Sequence, residues 1–291
     1  MMAVFLLGSC NQTEELNIDS NQIRVKAEIA SGSRATLTNF EVDDSFGLFA
    51  VERIAGLSIP VQVGGNYLNN ERMIYDGTEW SSQRTLYWSD SDVDYDFYGI
   101  YPYMDITSID AQLFEVATDQ SIMEDGNGMG AYEISDLMFA VDNGVKKGEE
   151  VSLAFKHMMS RVVVKVVKGA KYEGEIPTDI VVHIYNTATT AKVNWQKGSL
   201  EKYLYSGKKT IKMRPLSGGD EPVFDAIVVP QFIERSTPLV EITMGGIAYL
   251  LEYSMTFRPG YQHTIIVTLN TSPDQEKIEI QIDGEVEDWQ Q

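Results

Sequence analysis

The feature that most constrains this chain is the period of its apolar residues. Ile23, Val25, Ala27 and Ile29 fall on one face of an extended segment, with Arg24, Lys26 and Glu28 on the other. A repeat of two is the mark of a half-buried strand. The same alternation sets Val93, Tyr95 and Phe97 against Asp92, Asp94 and Asp96. Val162 to Val167 is almost continuously β-branched, as expected of a strand buried on both faces. Two glycine-bearing pairs read as hairpin turns: Asp76-Gly77 between Tyr75 and Thr78, and Gly245-Gly246 between Met244 and Ile247. Two-residue turns of this kind take positive φ at both positions. No stretch carries an amphipathic helix beyond about three turns, so the chain is expected to be all-β. Short strands punctuated by Gly and Pro point to sandwiches rather than to a βαβ sheet.

At 291 residues there is room for one large or two ordinary domains. The segment Asp142-Asn143-Gly144-Val145-Lys146-Lys147-Gly148-Glu149-Glu150 is the best internal boundary. It divides an expected N-terminal β-sandwich, residues 23–150, from a C-terminal one, residues 151–291. Residues 11–22 read as a polar tether.

Charge narrows the function. The formal net charge is −20. Phosphate binding runs on Lys and Arg, so nucleic acid is not an expected partner, and neither is anionic lipid. A surface of this kind suits a soluble, exported protein. With Cys10 the single cysteine, no intrachain disulfide and no cysteine metal cluster can form.

Chemistry-bearing motifs are weak. The ladder Asp90-Ser91-Asp92-Val93-Asp94-Tyr95-Asp96 would need glycine at the sixth place and an acid at the twelfth to be an EF-hand loop. Those places hold Tyr95 and Tyr101, so the ladder reads as one solvated face of a strand. His157, His183 and His263 lie in no metal-ligand spacing. No G-x-S-x-G elbow appears. Gly126-Asn127-Gly128-Met129-Gly130 lacks the Lys-Ser/Thr of a phosphate loop. Carboxylate pairs are unavoidable among 43 acids and carry no signal by themselves. The expectation is no enzyme, no metal site and no cofactor.

The N-terminus has one motif. Val4-Phe5-Leu6-Leu7-Gly8-Ser9-Cys10 is an apolar run closing on small residues before a cysteine, and Asn11-Gln12-Thr13-Glu14-Glu15 is abruptly polar. This resembles a bacterial lipobox, in which the Cys10 thiol takes a diacylglycerol and the freed amine is acylated, as with palmitate. Two or more acyl chains hold stably at ~0.8 kcal/mol per buried methylene. The run is short and no Lys or Arg precedes it, so a start placed downstream of the true one is the simplest expectation. No other stretch approaches the length of a membrane span.

An ordered string of further motifs runs from about Ile23 to Trp289. Tyr75-Asp76-Gly77 with Trp80 is followed by Tyr87-Trp88, then Phe97-Tyr98 and Tyr101-Pro102. Asp136-Leu137-Met138 precedes Leu153, Phe155, His157, Ser160 and Arg161. Val229-Pro230-Gln231 precedes Phe257, Pro259, Gly260 and His263. Together these resemble the fimbrillin-like pilus subunits of the Bacteroidetes. The resemblance implies two transthyretin-like Greek-key β-sandwiches, exported as an outer-membrane lipoprotein and assembled into a type V pilus. An arginine-specific protease would remove the first strand, Ile23 to Ile29, by cutting after Arg34, with Arg24 the lesser candidate. A neighbouring subunit's strand would fill the groove, with Ile278, Ile280 and Ile282 as the candidate donor. Partners would be other fimbrial subunits, the protease, the membrane through lipid, and a host or bacterial surface receptor. The competing reading is a monomeric surface lipoprotein that binds glycan or protein through exposed aromatics such as Trp80, Trp88 or Trp195.

Overall fold

A computed structural model describes residues 21–30, 39–123, 129–219 and 221–270 in full, and residues 280–288 as backbone. Cys10, Arg34, Ile278 and most of the 126–130 glycine segment lie outside the described residues. The architecture is all-β, with one 3-10 turn at Glu133–Ser135.

The strands run in chain order as β1 (Arg24–Ile29), β2 (Ser45–Glu52), β3 (Leu68–Tyr75), β4 (Trp80–Ser82), β5 (Tyr95–Tyr101), β6 (Gln112–Glu115), β7 (Met138–Val145) and β8 (Glu150–His157). Next come β9 (Ser160–Lys168), β10 (Val181–Ala188), β11 (Thr190–Asn194), β12 (Ser199–Lys202), β13 (Lys208–Lys212), β14 (Arg214–Leu216) and β15 (Val223–Val228). β16 (Phe232–Ile233), β17 (Pro238–Met244), β18 (Ile247–Glu252), β19 (Met255–Thr256), β20 (Tyr261–Leu269) and β21 (Ile280–Asp288) complete the series.

A seven-stranded sheet has the order β1-β8-β7-β5-β2-β3-β4. It curls over its own inner face, where Phe46, Leu48, Trp80, Trp88, Phe97, Leu153 and Phe155 form one buried cluster. Along β2 the alternation is complete: Phe46, Leu48 and Ala50 enter that cluster, while Phe49 and Val51 enter a second one. Both faces of this strand are therefore apolar and buried, the pattern of a central strand. The second cluster joins the outer face of the first sheet to two sheets of the C-terminal half, β13-β10-β17-β18 and β14-β15-β9-β20-β21. β9 lies between β15 and β20, as its valine run requires. A small sheet, β12-β11-β6, takes a strand from each half of the chain.

The structure departs from the sequence reading in three places. The Asp142–Glu150 segment does not separate two sandwiches: Asp142 to Val145 end β7, Glu150 opens β8, and only residues 146–149 connect these two strands, which pair at Met138↔His157 and Phe139↔Lys156 within the first sheet. Val151, Leu153 and Phe155 belong to that sheet's inner core, so the first sheet extends to His157. Glycine and charge mark a turn here, and a turn need not be a boundary. Next, the Asp76-Gly77 hairpin forms, but with a four-residue loop between the paired Tyr75 and Trp80. Asp76 Oδ1 accepts the amides of Thr78 and Glu79 at 2.8 Å, and φ is positive at Gly77 but not at Asp76. An aspartate side chain closing its own turn removes the need for a second left-handed residue. At Gly245-Gly246 both φ values are positive, as expected. Last, Asp96 is not on a solvated face. It is fully buried, and its Oδ1 accepts Arg53 Nη1 at 2.7 Å and the Gly144 amide at 2.8 Å.

A second buried carboxylate sits in the C-terminal half. Asp225, on β15, accepts Arg161 Nη2 at 2.9 Å and Arg214 Nε at 3.1 Å and is itself fully buried. Arg214 also reaches Glu133 at 2.6 Å and stacks 3.5 Å above the Tyr132 ring, which ties β14 to the 3-10 turn before β7. Asp225→Ala would leave two guanidinium groups in low dielectric with their shared anion gone. The expected cost is ~3–5 kcal/mol in chemical denaturation. A loss below ~1 kcal/mol would show the cluster to be dispensable to the fold.

Candidate functional site: the edge strand and its groove

β1 runs parallel to β8, from Arg24↔Glu150 to Ile29↔Phe155. Parallel neighbours cannot share a tight turn, and here β2 to β7 intervene in the chain. The register matches apolar to apolar: Val25 lies beside Val151, Ala27 beside Leu153 and Ile29 beside Phe155. Arg24, Lys26 and Glu28 face solvent. Ile23 and Ile29 are buried, and Val25 and Ala27 pack against the same inner cluster.

The other side of the strand is walled too. Ile23 donates its amide to Leu86 O at 2.8 Å, Trp88 donates to Asn21 O at 2.8 Å, and Trp80 Nε1 donates to Ala27 O at 3.3 Å. Ala30 then donates to Phe155 O at 2.8 Å. β1 thus lies in a groove between β8 and the β4-to-Trp88 segment, closing the curl of the first sheet. Each fully buried isoleucine contributes roughly 1.5–3 kcal/mol to holding it there. The ladder bonds add about 0.5–1.5 kcal/mol apiece.

Of the sequence-derived site residues, the structure brings Ile23, Val25, Ala27 and Ile29 together on one face of this strand. Arg24 lies within the β1–β8 ladder. Ile280 and Ile282 lie on β21, an edge strand paired only to β20. The tryptophans offered as a binding platform are buried: Trp80 is 8 % exposed, Trp88 2 % and Trp195 1 %. Their ring faces serve the core, so the glycan-platform reading loses its residues.

The recurring polar residues turn out to hold backbone. Asp136 Oδ1 meets His157 Nδ1 at 2.9 Å in a buried pair. Ser160 Oγ donates to Arg258 O at 2.6 Å, and Gly260 donates to Met159 O at 2.8 Å, which pins the turn before β20 to the start of β9. The Gln231 side-chain amide takes the Ala188 N–H at 2.9 Å and gives to the Ala188 O at 3.0 Å, in place of a strand. Gln120, which carried no signal in the sequence, does the same for Ile227 at 2.7 and 2.8 Å. His183 lies 3.2 Å from Glu241. Among the described residues no three His, Cys, Asp or Glu side chains converge to hold a metal.

With this geometry in hand, comparison with known proteins is informative. A family model described as fimbrillin-like matches residues 33–289. The chain belongs to the fimbrillin-like family. A structure from Bacteroides uniformis assigned to cell adhesion is 17 % identical with a TM-score of 0.67, the match covering 93 % of this chain and 99 % of that one. Another from Bacteroides ovatus, also assigned to cell adhesion, is 14 % identical with a TM-score of 0.66, covering 92 % and 96 %. A fimbrial protein from Bacteroides ovatus is 20 % identical with a TM-score of 0.51, covering 88 % of this chain and 51 % of its own. These three likenesses concern the fold. The search of curated protein sequences gives no significant match.

Two outcomes are expected. Ile29→Ser, which puts a hydroxyl against Phe155, should raise amide hydrogen exchange across residues 24–29 while β9 and β20 keep their protection. Uniform loss of protection would mean that β1 is not a separable unit. His263 is buried and accepts the Arg258 amide at 3.0 Å on Nε2. Burial depresses its pKa from 6.5 to about 4. The unfolded chain takes up this proton first, so the stability from neutral His263 is complete above pH 6.5 and is lost as pH falls through about 4. His263→Gln should flatten that part of the stability profile in urea titrations at several pH values. An unchanged slope would assign the acid limb to carboxylates instead.

Proposed function

We propose that this chain is a structural or anchor subunit of a surface fimbrium, a type V pilus, assembled by strand exchange after its first strand is removed and contributing to adhesion. The observation that carries the reading is the setting of β1. It is register-matched to β8, walled on both sides and attached by no tight turn. Its loss would uncover Val151, Leu153, Phe155 and Trp80 together with the row of β8 backbone groups that it pairs. An empty groove of that kind is strongly unfavourable, and a strand with the same alternation from a neighbouring copy would fill it.

Processing is assigned to Arg34, four residues beyond Ala30. Arg24 suits a protease less well, because its backbone is engaged in the ladder with β8. The family match begins at residue 33, beyond β1, which is in keeping with a mature subunit that has lost this strand. The donor is assigned to the segment carrying Ile278, Ile280 and Ile282. Its strand β21 rests on a sheet edge, and an edge strand can be released without breaking a sheet in two. Cys10 would carry the lipid that holds the subunit at the outer membrane before or instead of polymerisation. No catalytic residue takes part in this role.

Brief digestion of the folded chain with an arginine-specific protease tests the reading, followed by intact mass and size-exclusion analysis. The expected result is one early cut after Arg34, release of the first strand and appearance of oligomers, all abolished by Arg34→Ala. A cut that leaves a stable monomer, or resistance at Arg34, would sink the exchange mechanism.

A further inference from the structure

The chain is acidic as a whole, with its Lys and Arg gathered in a few stretches. Seven of its 23 Lys and Arg residues fall between Lys192 and Arg214, against a single acid, Glu201. Four of the seven are neutralised within the molecule. Lys192 meets Glu201 at 2.6 Å, Lys209 meets Glu115, Lys212 meets Asp119 at 3.3 Å, and Arg214 meets Asp225 and Glu133. Lys197, Lys202 and Lys208 have no carboxylate partner among the described residues. Lys202 and Lys208 flank the turn from β12 to β13, and Lys197 stands at the other end of β12, itself an edge strand.

That turn is firmly built. Ser206 gives its amide and its hydroxyl to Tyr203 O at 3.2 and 2.9 Å, and Tyr203 gives its amide to Thr190 O at 2.9 Å. The rings of Tyr203 and Tyr205 meet edge-on with centroids 5.5 Å apart. The turn holds Leu204 and Tyr205 out in water, 78 % and 87 % exposed. An exposed tyrosine beside a leucine, flanked in the chain by Lys202 and Lys208, has the make-up of an interface anchor: an aromatic centre with a charged rim.

The acidic counterpart is present on the same chain. Asp90 and Asp92 are exposed and Asp94 is half-buried, ahead of β5. Among the described residues, Asp96, the last of that ladder, is paired through Arg53, and Asp90, Asp92 and Asp94 have no cationic side chain against them. The nearby Lys147 spends a hydrogen bond on Ser89 O at 2.9 Å.

We infer that the basic Tyr203–Gly207 turn of one copy docks on the acidic 90–94 segment of a second copy. Two different patches meet in such a contact, so it propagates along a row of copies unless the rotation happens to close a ring. Copies carrying a net charge of −20 repel one another on average, so an approach that sets a basic turn with an exposed aromatic centre against an acidic segment is favoured. A short acidic segment fits the size of the turn. A long anionic polymer would also have to lie across the acidic surface on either side. The biological setting rests on the fimbrial reading above, whereas the contact itself needs neither cleavage nor strand exchange.

The test uses the full chain carrying Arg34→Ala, so that processing there cannot contribute. One copy is immobilised and a soluble copy titrated over it at about 50 mM salt, where exposed charges are little screened. Association is expected, weakening at least ~tenfold at about 500 mM salt. Lys202→Glu with Lys208→Glu should weaken it by ~tenfold, as should Asp90→Lys with Asp92→Lys. Pairing the first double variant with the second should restore it. All four positions are exposed, and circular dichroism checks that each variant is folded. No association at low salt, or association indifferent to the reversals, would overturn the inference. So would lysine variants that lose binding to heparin yet self-associate normally, which would assign the turn to anionic polysaccharide. Protease-driven assembly of the unmodified chain is read separately, so failure of strand exchange and failure of this contact give different results.

Discussion

An edge strand laid parallel to its neighbour has nothing covalent nearby to keep it in place. β1 is held on β8 by ladder hydrogen bonds, by the packing of Ile23, Val25, Ala27 and Ile29, and by the wall that Leu86, Trp88 and Trp80 provide on its far side. Those same contacts close the curl of the first sheet. Phe46 meets both Trp80 and Phe155 beneath it, at 4.7 and 5.1 Å between ring centroids. The inner core of the N-terminal sheet therefore depends on a strand that the topology leaves separable. In a stable monomer this would be a weakness. Under the proposed strand exchange it would be the working part.

Polar groups do a different job in this molecule. Buried Asp96 and Asp225, and the amides of Gln120 and Gln231, each satisfy backbone or guanidinium groups that no strand reaches. Irregular connections between sheets leave donors and acceptors in low dielectric, and each unsatisfied one costs about 1–3 kcal/mol. Side chains of fixed length answer this where the backbone cannot. The motif string that resembles the family is thus a record of how the sheets are joined. It follows that Ser160, Arg161, Gln231 and His263 speak for the frame, and that function is to be sought in the edge strand and the surface turns.

The strands themselves were legible in the sequence because alternation is local: each residue's burial is set by its own parity, and no knowledge of the partner is needed. Ile23 to Ile29, the valine run of β9 and the Gly245-Gly246 hairpin all stand where the pattern puts them. The candidate groove-filling face was legible for the same reason. Partnership was not. Only the tertiary structure decided that β8 pairs with β1 and β7, so that a glycine-rich turn lies inside a sheet. Only it decided that β6 crosses to β11, that Asp96 turns inward to Arg53, and that the three tryptophans belong to the core. Parity along a strand reports which side is dry. Which surface makes it dry depends on residues far away in the chain, and that is settled only when the sheets close on one another.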